Sequence, residues 1–190
     1  MKLYLAGPEV FLADAREIGR RKAELCAGYG FTGLFPLDTE WHGAAPTSRA
    51  IFAANLALIR EADAVLANLT PFRSISADPG TAFEVGYGFA LGKIVAAYCA
   101  APGELKHRAV AAIGATGAPA TDAGIPLADG LHVEDFGLFD NLMLAEALIA
   151  SGLQVVQAQQ EVDDPFRDLT LFEAALAALA RGRRETITGR

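Results

Sequence analysis

The chain has 190 residues, 52% hydrophobic and 21% charged, with a mean hydropathy of +0.27. It is long enough for one sizeable core and too apolar for a disordered polymer. With 16 Lys+Arg against 23 Asp+Glu the formal charge is −7, which argues against a surface that neutralises nucleic-acid phosphates or docks on an anionic leaflet. The opening MKLYLAGPEV is broken by Gly7-Pro8 before it reaches the length of a signal core or a spanning helix, so a soluble, cytoplasmic protein is expected. Cys26 and Cys99 lie far apart without metal-ligand spacing and read as small apolar packers. No repeat or low-complexity tract divides the chain, so one domain over 1–190 is expected.

In chain order, Lys2 to Leu5 reads as a short buried strand, and Asp14 is placed to cap a helix that stops at Gly28 or Gly30. Phe31 to Leu37 resembles a second strand, followed by a loop and a helix from the Thr47 cap through Ile59. Asp63 to Leu69 is a third strand. After the loop TPFRSISA, Asp78-Pro79-Gly80 opens a helix that ends near Gly92, and Ile94 to Cys99 is a fourth strand. His107 falls on a surface helix, and Gly114 to Gly130 has the composition of an exposed loop. A fifth strand fits either Gly130 to Val133 or Leu153 to Gln157. Helices are expected over Phe139 to Ser151 and Pro165 to Ala180, the basic end RGRRETITGR being a frayed tail. Near-continuous apolar strands alternating with helices predict an α/β fold: a doubly wound parallel five-stranded sheet with helices on both faces.

In such sheets ligands gather beyond the carboxyl ends of the strands where strand order reverses. That points to Ala6 to Phe11, to Asn68 to Asp78, and to the helix start with Gly80, Thr81 and Glu84. Gly7, Phe11 and Gly80 are therefore candidate substrate contacts. Glu84 is an acid inside an apolar helix, among Phe83, Val85 and Phe89, and needs donors if it is buried. The helix amides and the Tyr4 hydroxyl on the first strand are the candidates. A carboxylate so held is expected to stay ionised and to suit nucleophilic attack on an electrophilic carbon. Its alternative is an exposed first-turn glutamate, and for Asp78 the alternative is a plain N-cap.

Gly80, Gly86, Gly88 and Gly92 weaken that helix, which suggests close approach by the sheet or by a ligand. There is no Walker loop or dinucleotide fingerprint, and neither a cofactor nor a metal is expected. His42, His107 and His132 share no spacing, and Ser74 and Ser76 lack an elbow context. Phe11, Phe35, Trp41 and Phe72 fall near the ligand-end loops, where they could stack a planar base.

Tyr4-Leu5-Ala6-Gly7-Pro8, Asp63 to Leu69 (DAVLANL), Asp78 to Gly86 (DPGTAFEVG) and Asn141-Leu142-Met143 together resemble the nucleoside 2-deoxyribosyltransferase family, over about residues 1–143. The Asp-x-Gly-Thr-x-x-Glu-x-Gly block is the most specific part. The resemblance implies a flavodoxin-like fold and a two-step exchange. A glutamate, here Glu84, takes the deoxyribosyl group as a covalent intermediate, and a second base then accepts it. It further implies that Tyr4 orients the nucleophile and that Asp78 helps to protonate the departing base. Asn141 and Met143 would reach a neighbouring subunit's site, the asparagine toward the sugar 5'-hydroxyl. The implied partners are nucleosides and free nucleobases, the implied state is a homo-oligomer built from dimers, up to a hexamer, and the implied setting is nucleotide salvage.

Asn55 stands where the family often carries a second aspartate. An amide can bond a base edge but cannot donate an acid proton. Either Asp78 protonates the base alone, or Asn55 changes base preference. The stretch from Ala100 to Leu131 is longer than the family leads one to expect.

A rival expectation keeps Glu84 but lets water accept the sugar, as in nucleoside or deoxynucleoside monophosphate N-glycosidases, which share a Gly-Thr-x-x-Glu element. A phosphate reader should offer a basic, serine-rich pocket. The first-strand loop GPEVFLAD is acidic and apolar, and only Arg73, Ser74 and Ser76 supply such groups. A third expectation is a non-catalytic nucleotide-binding module, for which Glu84 would be dispensable.

Overall fold

The computed structural model describes residues 1–39 and 45–188, with 183–188 as backbone only. Trp41 and His42 lie outside the described residues. The strands are β1 (Lys2–Ala6), β2 (Thr32–Leu34), β3 (Ala64–Asn68), β4 (Ile94–Cys99), β5 (Ile125–Pro126), β6 (His132–Val133) and β7 (Val156–Gln157). The helices are α1 (Ala15–Gly28), α2 (Ser48–Glu61), α3 (Pro79–Ala90), α4 (Leu105–Ile113), α5 (Leu142–Ala150) and α6 (Thr170–Thr188). Five strands form one parallel sheet in the order β2-β1-β3-β4-β7. This is the expected flavodoxin-like, doubly wound arrangement, whose order reverses between β1 and β3.

Strand side chains alternate between two buried layers, which is why the strands read as continuous apolar runs. Tyr4, Ala6, Val65, Ala67, Val95 and Ala97 face one layer, covered by Ile59 of α2, Val85 of α3 and Leu148 of α5. Leu3, Leu5, Leu66, Ala96 and Tyr98 face the other, covered by Ile18 and Cys26 of α1 and by Phe172 and Leu176 of α6. Both cysteines are buried and unpaired. Among the described residues no helix is long and apolar enough to cross a membrane.

Several boundaries differ from expectation for identifiable reasons. Asp14 precedes α1 but makes no cap bond, because its carboxylate binds the Arg167 guanidinium at 2.8 Å through both oxygens. The helix expected from Pro165 starts instead at Thr170: residues 164–168 form a turn on the Asp164 carbonyl, and Asp168 accepts from the Thr170 amide at 2.8 Å. Helix α6 also continues to Thr188 through the supposed tail.

The fifth strand is β7, paired with Tyr98 and Cys99. The other candidate, Gly130 to Val133, is ordered as a strand only at His132–Val133, which pairs antiparallel with β5 inside the stretch expected to be loop. That hairpin packs Leu127 and Val133 against Leu105 and Ala109 of α4, with Ile75 from the loop after β3 beside them. Phe35 is core, and a Cβ on Gly19 would lie 2.4 Å from its ring.

Candidate active site

The site grows from the point where α3 crosses β1 and β3. Asp78 caps α3, its Oδ2 accepting from the Thr81 amide at 2.9 Å and the Thr81 hydroxyl at 3.1 Å. One turn beyond Glu84, a Cβ on Gly88 would lie 2.5 Å from Val65, so the missing side chain lets α3 press onto β3. The close approach expected of these glycines is thus helix on sheet at Gly88. Gly92 instead ends the helix with φ of 70°, Gly86 meets nothing within 4 Å, and Gly80 lies near only Asp78.

Pressed inward, Glu84 reaches the fully buried Tyr4, whose hydroxyl donates to Oε1 at 2.6 Å. Asn55 of α2 donates to the same oxygen at 3.5 Å, while its own Oδ1 is buried with no partner among the described residues. Both donors use Oε1. Burial pushes the Glu84 carboxyl up to about 7; the Tyr4 and Asn55 hydrogen bonds oppose that rise and the Asp78 charge adds to it. The expectation that Glu84 is held fully ionised is therefore corrected: desolvation outweighs the donors, and near pH 7 both protonation states are populated. Burial and the neighbouring carboxylate drive the Tyr4 phenol far above its usual range, so it remains a donor.

Beneath the β1 turn lies a second buried acid that sequence reasoning passed over. Glu9 follows Gly7-Pro8 and turns inward at 1% exposure, where its Oε1 meets Lys22, Asn68 at 2.9 Å and the Tyr98 hydroxyl at 2.8 Å. Lys22 is equally buried and lies over the Tyr98 and Phe172 rings. A signal was present: Lys22 continues the buried stripe Ala15, Ile18, Gly19 and Cys26 of α1, and a lysine there demands a buried partner. Burial alone would raise Glu9, but the Lys22 charge and the bonds from Lys22 and Asn68 hold it below the usual carboxylate range. A Cβ on Gly7 would lie 2.0 Å from Glu9 Oε2 and 3.0 Å from Asn68 Cβ, so a larger residue here would have to displace the buried acid.

Phe11 is 56% exposed and stacks on Phe72 at 5.4 Å, with the Arg73 guanidinium over both rings. Arg73 alone among the described non-glycine residues has positive φ, 55°. The hydroxyls beside it are occupied within the chain. Ser74 Oγ donates to the Ser76 carbonyl at 2.8 Å, and Ser76 Oγ donates to Asp140.

Asn141 and Met143 do not join Glu84. They line a groove of about 760 Å³ between α3 and α5, together with Pro79, Ala82, Gly86 and Phe89. Ala82 and Gly86 flank Glu84 by two residues on either side, which sets the groove on the opposite face of α3 from Glu84. Asn141 caps α5, accepting from the Met143 amide at 3.1 Å and donating to Glu134 at 3.3 Å, and Met143 is 73% exposed. The tree of contacts therefore splits in two: Tyr4, Asn55 and Glu84 converge, with Asp78 at the helix start, whereas Asn141 and Met143 face away.

The sequence profile of the nucleoside 2-deoxyribosyltransferase family matches residues 3–143. Over 179 residues the chain is 31% identical to the uncharacterized protein C191.05c of Schizosaccharomyces pombe, spanning 87% of this chain and 84% of that one. It superposes on a 2-desoxiribosyltransferase from Leishmania mexicana with a TM-score of 0.68 and 32% identity, covering 95% and 97% of the two chains. A conserved protein from Enterococcus faecalis V583, 18% identical, shares the fold with a TM-score of 0.56 over 94% of this chain and 98% of its own. The matched span runs from β1 to the start of α5 and contains Tyr4, Asp78 and Glu84; the chain belongs to the nucleoside 2-deoxyribosyltransferase family.

Proposed function

We propose that the protein transfers a 2-deoxyribosyl group between nucleobases through an ester on Glu84. The observation that carries this reading is the Tyr4–Glu84 hydrogen bond at 2.6 Å, in a part-buried position where no cation among the described residues pairs with the acid. Because Tyr4 and Asn55 both bind Oε1, Oε2 is the oxygen left to attack C1'. As the C1'–O bond forms, the C1'–N bond breaks with its electron pair going to the base, and Asp78 delivers a proton to that nitrogen. A second base then attacks C1', the ester breaks back to the Glu84 carboxylate, and the incoming base returns its proton to Asp78. Asp78 can serve while capping α3, since the cap uses only Oδ2.

Phe11 supplies an exposed ring for the base, and the unpartnered Asn55 Oδ1 awaits a substrate donor. The internal bonding of Ser74 and Ser76, with Arg73 stacked on Phe11 and Phe72, favours an unphosphorylated nucleoside over a monophosphate. Asn141 and Met143, on the far side of α3, serve a site completed by a second copy of the chain seated on the α3/α5 groove.

Incubation with deoxyinosine and adenine should yield deoxyadenosine, and Glu84→Ala should lower the rate by at least about 10³-fold. Release of hypoxanthine and free deoxyribose at a rate indifferent to adenine would replace the transferase by a hydrolase. A fully active monomer would overturn the shared site.

A further inference from the structure

Two segments far apart in sequence are cross-linked beside α3. One is Ile75-Ser76-Ala77, which leads directly into Asp78; the other is Phe139-Asp140, which leads directly into Asn141. The Asp140 side chain is fully buried. Its carboxylate accepts from Ser76 Oγ, from the Ala77 amide at 3.0 Å and from the Asn141 amide at 2.7 Å. Arg108 of α4 repeats the link, donating to the Ile75 carbonyl at 2.8 Å and to the Phe139 carbonyl, with its guanidinium 3.9 Å from Asp140.

A buried carboxylate with three donors on it is fixed, and so is whatever it holds. Here it holds the backbone immediately before the proposed acid and the backbone of the proposed inter-subunit asparagine. We infer that Asp140 is a positioning residue that sets Asp78 and Asn141 in one frame. The acid of one reaction centre and the asparagine presented to the neighbouring centre are thereby placed by the same side chain. This rests on the roles proposed above for Asp78 and Asn141.

A purely structural Asp140 would lower stability and add its kinetic cost equally in every background, whereas a positioning residue loses its effect once the group it positions is gone. The test is a pair of double-mutant cycles with deoxyinosine as donor and adenine as acceptor: Asp140→Asn against Asp78→Asn, and Asp140→Asn against Asn141→Ala. Misplacement of about 1 Å can cost about 10²-fold, so Asp140→Asn alone is expected to lower kcat/KM by about tenfold or more. In each of the other two backgrounds its cost should shrink to less than about threefold.

Equal factors in all backgrounds overturn the inference. Ser76→Ala keeps the carboxylate and is carried through the same cycles, so an unstable Asp140→Asn does not remove the test; its effect should be smaller and equally non-additive. Hypoxanthine release, measured in the same reactions, reads the cycles when water is the acceptor. Additive cycles in a working transferase sink this inference alone, whereas absence of deoxyadenosine from the unaltered protein sinks the transfer reading. No turnover of deoxyinosine in any form overturns both.

Discussion

Two acids, one fully buried and one part-buried, lie against the sheet and behave in opposite ways. Glu9 sits against Lys22, Asn68 and Tyr98 and is held below the usual carboxylate range. Glu84 sits against Tyr4 and Asn55 and is pushed up to about 7. Both accept a phenol and an amide; among the described residues only Glu9 faces a cation. At Glu84 two neutral donors do not offset desolvation, to which the Asp78 charge adds, whereas at Glu9 the Lys22 ammonium, helped by the Asn68 bond, does. An acid neutralised by its own chain is a structural part, and an acid left without a countercharge is available to an electron-poor carbon.

The comparison breaks most visibly at Lys22. Lys22→Met leaves the Glu9 carboxylate unpaired in the core and should destabilise the fold by about 3–5 kcal/mol, read by denaturant unfolding. A stability within about 0.5 kcal/mol of the parent would show that Glu9 does not depend on its cation.

The effect expected at Tyr4 is smaller. Tyr4→Phe removes one hydrogen bond to a charged group, about 1.5–3 kcal/mol, so kcat/KM should fall by roughly 10- to 100-fold. Because that bond lowers the Glu84 pKa, the limb of the pH–rate profile, which rises through about 7 as Glu84 ionises, should move to higher pH in the variant. An unmoved limb would separate Tyr4 from the nucleophile.

The smallest effect concerns stability and carries a definite sign. The folded-state pKa of Glu84 is raised above its ordinary 4.5, so its contribution is fully present below that pH and is lost as pH rises through about 7. Glu84→Gln should therefore be inactive yet more stable than the parent at pH 8, by about 1–2 kcal/mol given that the side chain is only part-buried. The difference should vanish below about pH 4.5, followed as the melting temperature against pH. A variant less stable than the parent at pH 8 would show that the Tyr4 bond, and not burial, governs this site.

Legibility from sequence followed the range of the interactions. Caps at Thr47 and Asp78 were readable because a side chain and an amide three residues on settle them. The Asp14 cap failed because Arg167, 153 positions away, offers its carboxylate a better partner. The fifth strand was ambiguous because the two candidate segments are short and sequence alone does not say which reaches the edge of β4. Glu84 and Tyr4 could be singled out from an acid in an apolar helix and a phenol on a neighbouring strand, whereas Asp140 gave no warning, since its partners Ser76 and Ala77 lie more than 60 residues upstream.

The order of the first four sheet strands and their intervening helices, the two-faced burial of the sheet and the candidacy of Glu84 were written in the chain itself, since apolar periodicity and capping act over a few residues. Only the assembled structure decided which acid would be neutralised, which helix face would present Asn141, and how far Glu84 would be driven from its ordinary ionisation. Those properties depend on desolvation and on charges from distant elements, and neither exists until the sheet closes under its helices.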